Sequence, residues 1–474
     1  MNRYFQRKRN VDNIDEGVSN DVEFDVTKLP TNPGLRIPIL DYNANIRDEV
    51  RRVYMLKSPC QPNCKFTSPD IQKDIVNACG IETINAIIKD VGDSLFPILV
   101  NESRDVSMKE QMSIILRYVD NSGHVNERFI GIEHVTSTTT LSLKATINKV
   151  FSRYNLSMSR LRGQGYDRAS NMQGKFNGLK SLILKESPCA FYIHCFAHQL
   201  QLALVVVAKK NIRITNFFRV VGDVINTIGA SSKRCDLLRE KQLDFIVEAL
   251  EKVDEKCLGM SNELSKALQR KDQDIVNAMQ LERLCKRRLQ IMRNEGWDSF
   301  LEEVYLLYSV INLQLQELND HFSEVNTELL LCVACLCPQD SFSSFDKKSL
   351  IRLAEIYPLD FSIVDVIVLN DQFETYIFDM HSNKEFEGLN DLGDLAKKLV
   401  LTKKDRVYPL VYRLLTLALI LPVVTATVER VFSAMSIIKD RLRNRMGDQW
   451  MNDSTIVHIE KDIFLKLDNK VIVR

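Results

Sequence analysis

The chain has 474 residues, of which 45% are hydrophobic and 26% charged; that length suggests two to four structural units, and that balance excludes disorder as the general state. Lys and Arg number 63 against 62 Asp and Glu, so no global basic field draws the chain to DNA or membrane, and any polyanion contact must come from local patches. The most apolar runs, residues 200–208 and 414–424, are far short of a bilayer span, and no signal-peptide pattern is present, so a soluble intracellular chain is expected.

The first sixty-odd residues differ from the rest. Arg3, Arg7, Lys8 and Arg9 precede an acidic, polar stretch, and residues 30–62 hold five of the 12 prolines. This part reads as an arm or linker, and its basic start as a nuclear address or a phosphate contact, with a solvated tail as the plain alternative. Ordered structure is expected from Ser68-Pro69-Asp70, where a Ser cap and Pro at the first helical position open a helix through Ile75, Ile84, Ile88 and Val91. Residues 95–100 form a continuous apolar run suited to a buried strand. Residues 112–120 and 125–135 are expected to be strands joined by a hairpin-like connection, Asn121-Ser122-Gly123-His124. A helix over 139–154, a strand over 161–167, a helix over 179–186, a strand over 190–195 and a helix over 196–210 follow.

Three strands joined by tight turns must be antiparallel neighbours, and strands that alternate with helices are expected to be parallel. The pattern predicts an α/β fold with a ribonuclease H-like mixed sheet. Beyond Lys210 no proline occurs until Pro338, and helical periodicity dominates at 217–228, 237–253, 262–277, 281–293 and 300–325. The apolar run 326–336 with Cys332, Cys335 and Cys337 mimics a metal pair, but no second pair lies nearby. A buried helix with thiols as small hydrophobes fits better. The 11 cysteines in all have no framework spacing, so free thiols in a reducing compartment are expected.

Three polar positions stand at the ends of hydrophobic elements. Asn101 follows Ile98-Leu99-Val100, Asp167 follows Gly163-Gln164-Gly165-Tyr166, and Glu429 lies in the helical stretch around Thr427-Val428-Glu429-Arg430-Val431. Carboxylates at adjacent strand ends, completed by one from a helix, can hold two Mg²⁺ ions for phosphodiester cleavage; ordinary strand-end and helix residues are the plain alternative.

Residues 68–119, 162–210 and 408–464, with RGQGYDRASNMQG, FYIHCFAHQLQLALV and ATVERVFSAMSIIKDRLRNR within them, resemble hAT-superfamily transposases of the lineage with a TTF-type zinc finger. The resemblance implies a ribonuclease H-like core at 68–210 and a helical insertion at 211–400. It further implies a C-terminal dimerisation region at 401–474 and a catalytic triad of two aspartates and a glutamate. The second aspartate falls on Asp167 and the glutamate on Glu429, and the family's Cys-x-x-His on Cys195 and His198, which could contact DNA, a metal or the catalytic loop, or form a buried structural pair. The first aspartate is replaced by Asn101, a neutral ligand that weakens Mg²⁺ binding. Arg168 adds a cation beside Asp167 in sequence. Of the finger, residues 1–67 keep only the remnant Cys60 and Cys64, and the family's Arg-Trp motif is missing.

The expectation is a transposase-derived dimerising protein in the nucleus, catalytically inactive, with weak DNA contact through Cys195, His198, Lys439, Arg441, Arg443 and Arg445. An active transposase using Mg²⁺ and a helical protein-interaction module without a nucleic-acid role are the alternatives. Self-association is expected through residues 408–424, whose nearly all-apolar helix needs cover on every side; a monomer whose helical insertion and core cover it is the plain alternative.

Overall fold

The computed structural model describes residues 68–166, 178–210, 255–270, 273–295, 311–319, 328–423 and 426–468, with isolated positions elsewhere. Two compact units divide at Gln72 and Lys73; of the first, the continuous described part is the opening of helix α1.

Helix α1 (Pro69–Val91) leads into strands β1 (Phe96–Arg104), β2 (Glu110–Val119) and β3 (Val125–His134). Helix α2 (Thr140–Arg153), β4 (Leu161–Tyr166), α3 (Leu179–Glu186), β5 (Phe191–His194) and α4 (Phe196–Lys210) follow. The five strands form one sheet in the order β3-β2-β1-β4-β5. The β1–β2 and β2–β3 pairs are antiparallel, whereas β1–β4 and β4–β5 are parallel. This is the mixed sheet that the order of turns and crossover helices predicts.

Two glycines in β4 allow a close approach across the sheet. A Cβ on Gly163 would lie 2.8 Å from Pro97 Cβ and 3.1 Å from Pro422 Cδ, and one on Gly165 would lie 2.9 Å from Pro422 Cβ. Pro422 therefore rests directly on the strand at a distance that no larger residue permits.

The helical region contains α5 (Glu255–Leu268), α6 (Ile275–Glu295), α7 (Glu328–Ala334), α8 (Lys347–Ile356), α9 (Ile363–Ser382) and α10 (Leu392–Leu401). The predicted helix over 262–277 is in fact broken, because Asp274 accepts the Asn277 N–H at 2.9 Å and caps a new helix. The expectations over 217–228, 237–253 and most of 300–325 lie outside the described residues. Cys332 and Cys337 are buried and Cys335 is half-buried, and burial pushes all three thiols up, so they pack as apolar groups.

The C-terminal elements are α11 (Pro409–Ile420), α12 (Ala426–Ile438) and α13 (Asp448–Ile459). α11 opens with Pro at its first position and buries Leu410, Val411, Leu414, Leu415, Leu417, Ala418, Leu419 and Ile420. It packs between the sheet, at β2 and β4, and helices α9 and α10. The expectation that this helix must find a partner to cover it is therefore corrected: one chain covers its eight apolar positions, and the face that stays exposed carries Arg413.

Helices α12 and α13 belong to the sheet's own core. Val428, Val431, Met435, Met451 and Ile456 pack with residues of α1, α2 and all three antiparallel strands. α13 also covers the sheet edge at β3. There Ile132 N–H donates to Asn452 Oδ1 at 2.7 Å and Phe129 N–H to Glu460 Oε1 at 2.8 Å. Edge-strand donors that would otherwise invite another strand are thereby satisfied within the chain.

Candidate metal and nucleic-acid site

Asn101 does not end its strand. β1 continues through Glu102 and Ser103 to Arg104, and Asn101 pairs with Ser113 of β2. The polar residues after Val100 stay extended because antiparallel pairing to β2 holds them. Asn101 is half-buried, and its Oδ1 accepts the Glu102 N–H at 2.8 Å. On the parallel side the last paired position is Leu99 with Gly165. β4 ends at Tyr166, and Asp167 and Arg168 lie outside the described residues, as do Cys60 and Cys64.

Glu429 stands in the first turn of α12 and reaches solvent. Surrounding protein pushes its carboxyl above the usual range, with the charges of His198 and Arg430 opposing the shift. Glu429 and His198 are thus neighbours. The backbone explains why: Phe196 N–H donates to Val423 O at 3.0 Å, bringing the start of α4 against the segment that leads into α12. His198 is half-buried, its N–H lies 3.4 Å from Cys195 Sγ, and its ring meets that of His194 at 5.7 Å.

Cys195 is 2% exposed. The expectation that it contacts nucleic acid is corrected, because its thiol packs inside at the first turn of α4 and only His198 approaches the surface.

Lys439 needs the same correction. It stands one residue past α12, is 1% exposed, and its Nζ lies 2.7 Å from Asp105 Oδ2, itself inside the protein. Asp105 sits just after β1, where it also accepts the Ser107 and Lys109 N–H groups and the Gln111 side chain. These donors, Lys439 included, hold its carboxyl below the usual range despite burial, which pushes the other way. Asp440 then accepts the Leu442 and Arg443 N–H groups, both at 2.9 Å, and caps the short turn Arg441–Arg443. Arg441, Arg443 and Arg445 are exposed. Ser107 donates to Asn444 O at 2.8 Å and Lys109 meets Asp448 at 2.9 Å, so the arginine-bearing turn is fastened to the β1–β2 connection.

Two further buried ion pairs have no counterpart among the expected residues. Arg117 in β2 meets Glu127 in β3 at 2.8 Å and donates to Leu419 O at 3.0 Å and Gln273 O at 2.7 Å. Arg162 in β4 forms a two-pronged pair with Asp360, at 2.6 and 2.8 Å. The signal for each is a lone Arg inside an apolar or glycine-rich strand, which demands a buried acceptor.

Two family models match the chain. The ZMYM1/FAM200 RNase-like domain matches residues 27–178, and the hAT family C-terminal dimerisation region matches 382–463. The first begins at residue 27, inside the stretch expected to be a finger remnant; the second contains Glu429, Lys439 and the three exposed arginines. The chain is also similar to the 52 kDa repressor of the inhibitor of the protein kinase from Homo sapiens and Mus musculus, at 23% and 22% identity over 189 residues. That similarity covers 40% of this chain and 24% of each relative; the chain thus spans about a quarter of the length of the curated relatives it matches.

Proposed function

Because the chain is hAT transposase-derived, carrying an RNase-like domain and a hAT dimerisation region, we propose that it is a self-associating protein that has given up strand-transfer chemistry. In this reading it acts in the nucleus, with weak nucleic-acid contact through Arg441, Arg443 and Arg445. One observation carries the loss of chemistry. At the first ligand position of the triad, Asn101 offers a neutral amide oxygen that already accepts the Glu102 N–H. The donor set does not fit a pair of Mg²⁺ ions, since two divalent cations need carboxylates to offset their charge.

Supercoiled plasmid incubated with the purified full chain and Mg²⁺ or Mn²⁺ tests this. The plasmid should stay intact, and Asn101→Asp should not restore nicking, because Arg168 still follows Asp167 in sequence. Robust metal-dependent nicking that Glu429→Gln abolishes would mean an active transposase. A protein-interaction role without nucleic acid is favoured by the burial of Lys439 and Cys195, which removes two of the six expected contacts. Complete absence of DNA binding at low salt is the result that selects it.

A further inference from the structure

Helix α9 is apolar on two opposite faces. Leu369, Phe373, Tyr376 and Met380 are buried against the chain's own core. On the other side Ile363, Val364, Ile367 and Phe378 are 83%, 67%, 61% and 74% exposed, and Val368 is 43% exposed. At 3.6 residues per turn these five positions fall on one face, shared with Asp371, Glu374 and Thr375. They present on the order of 500 Å² of apolar surface, interrupted by Asp371 and Glu374, which is the size of the largest patch on a typical monomer, and such patches are often functional.

The face is held in a fixed orientation. Ser362 and Asp365 form a complete capping box at the start of the helix. Near its end, Asp379 accepts the Tyr408 hydroxyl at 3.0 Å and pairs with Lys404. Those contacts place the C-terminal half of α9 beside the one-turn helix Lys404–Val407, where Val407 is exposed. The helix also ends at Ser382, where the match to the dimerisation region begins.

Two surfaces that could otherwise serve are closed. The most apolar helix of that region, α11, has its aliphatic positions covered within one chain, and the β3 edge has its Phe129 and Ile132 donors satisfied by α13 and the residue after it. The exposed face of α9 runs up to the start of the dimerisation region, and among the described residues nothing covers it.

We propose that a second copy of this chain docks on this face, the two α9 helices packing against each other about a two-fold axis. Ile363, Val364, Ile367 and Phe378 would form the contact, which lies just ahead of the matched region rather than inside it. This rests on the self-association reading and assigns its surface.

Sedimentation of the full chain at micromolar concentration tests both. The unaltered chain should run as a dimer, and Ile367→Glu with Phe378→Glu should weaken association at least tenfold with an unchanged circular-dichroism spectrum. Leu442→Glu, at an exposed position beyond α12, should leave the dimer intact. Hydroxyl-radical footprinting of the unaltered chain gives a second readout free of folding artefacts: labelling of Phe378 should fall as concentration rises through the dimerisation range. A dimer that survives the double substitution, or equal Phe378 labelling in monomer and dimer, refutes the assigned surface and leaves self-association standing. A wild-type chain that stays monomeric refutes both, as does a dimer broken by Leu442→Glu alone refute the surface.

Discussion

Replacing Lys439 by Met should destabilise the fold itself, because Lys439 is the inner partner of a buried ion pair. Both side chains of the Asp105–Lys439 pair are 1% exposed. Removing one member of such a pair leaves an uncompensated charge and costs about 3–5 kcal/mol. Asp105 keeps the Ser107 and Lys109 N–H groups and the Gln111 amide, so Lys439→Met belongs near the lower end, about 3 kcal/mol. The double variant Asp105→Asn, Lys439→Met removes the stranded charge while Asn can still accept the backbone donors. It should recover most of that loss, ending within about 1–2 kcal/mol of the unaltered chain. Acid adds a second signature. The folded pKa of Asp105 is lowered, so its stabilisation is complete above the ordinary carboxylate range and fades as pH falls through the lowered folded value. The gap between the unaltered chain and the double variant should narrow over that acid range. Urea unfolding followed by circular dichroism, with Trp450 in α13 as a fluorescent reporter, measures all of this. A Lys439→Met protein within about 0.5 kcal/mol of the parent, the range of ordinary surface changes, would refute the reasoning, as would a double variant no more stable than the single one.

DNA affinity measured by fluorescence anisotropy should fall with salt at a log–log slope of about −3 or shallower, because three exposed arginines can release about three counterions. Replacing Arg441, Arg443 and Arg445 together by Gln should flatten that slope for every sequence tested; an unchanged slope places the contact elsewhere. Gly165→Ala should cost about 1–3 kcal/mol in thermal unfolding, because its Cβ would sit 2.8 Å from Leu99 Cδ2 and 2.9 Å from Pro422 Cβ. Gly447→Ala, with nothing within 4 Å, loses only the N-cap preference of its position and should cost less, and equal effects at the two glycines would argue against the close packing of Pro422 on β4.

The sheet was legible because its signals are local. Short turns between three successive strands force antiparallel neighbours, and Asn121-Ser122-Gly123-His124 marks the second hairpin, with Gly123 at φ +80°. The end of β1 was not legible, because the apolar run stops at Val100 while pairing with β2 carries Asn101 to Arg104 onward. Lys439 misled for a different reason. In Lys439-Asp440-Arg441-Leu442-Arg443-Asn444-Arg445 the charges look like one solvated cluster. The helix ends at Ile438, however, and the Asp440 cap turns the chain so that Lys439 points inward and the arginines outward. Its partner Asp105 is 334 positions away, beyond the reach of any local pattern. The all-apolar character of α11 was equally plain in the sequence, but hydrophobicity states only that a helix is covered and not by which chain. The exposed side of α9 went unseen because its two apolar faces blur the periodicity that marks a one-sided helix.

The proposed function joins a match to an RNase-like domain and a hAT dimerisation region with a loss of metal chemistry. Titrating the full chain with Mn²⁺, with the free ion followed by electron paramagnetic resonance, tests that claim without depending on any DNA substrate. With Asn101 in place of a carboxylate, no saturable site should appear at micromolar metal, and Glu429→Gln should leave the titration unchanged. Stoichiometric binding of a pair of Mn²⁺ ions in that range, lost in Glu429→Gln, would contradict the account.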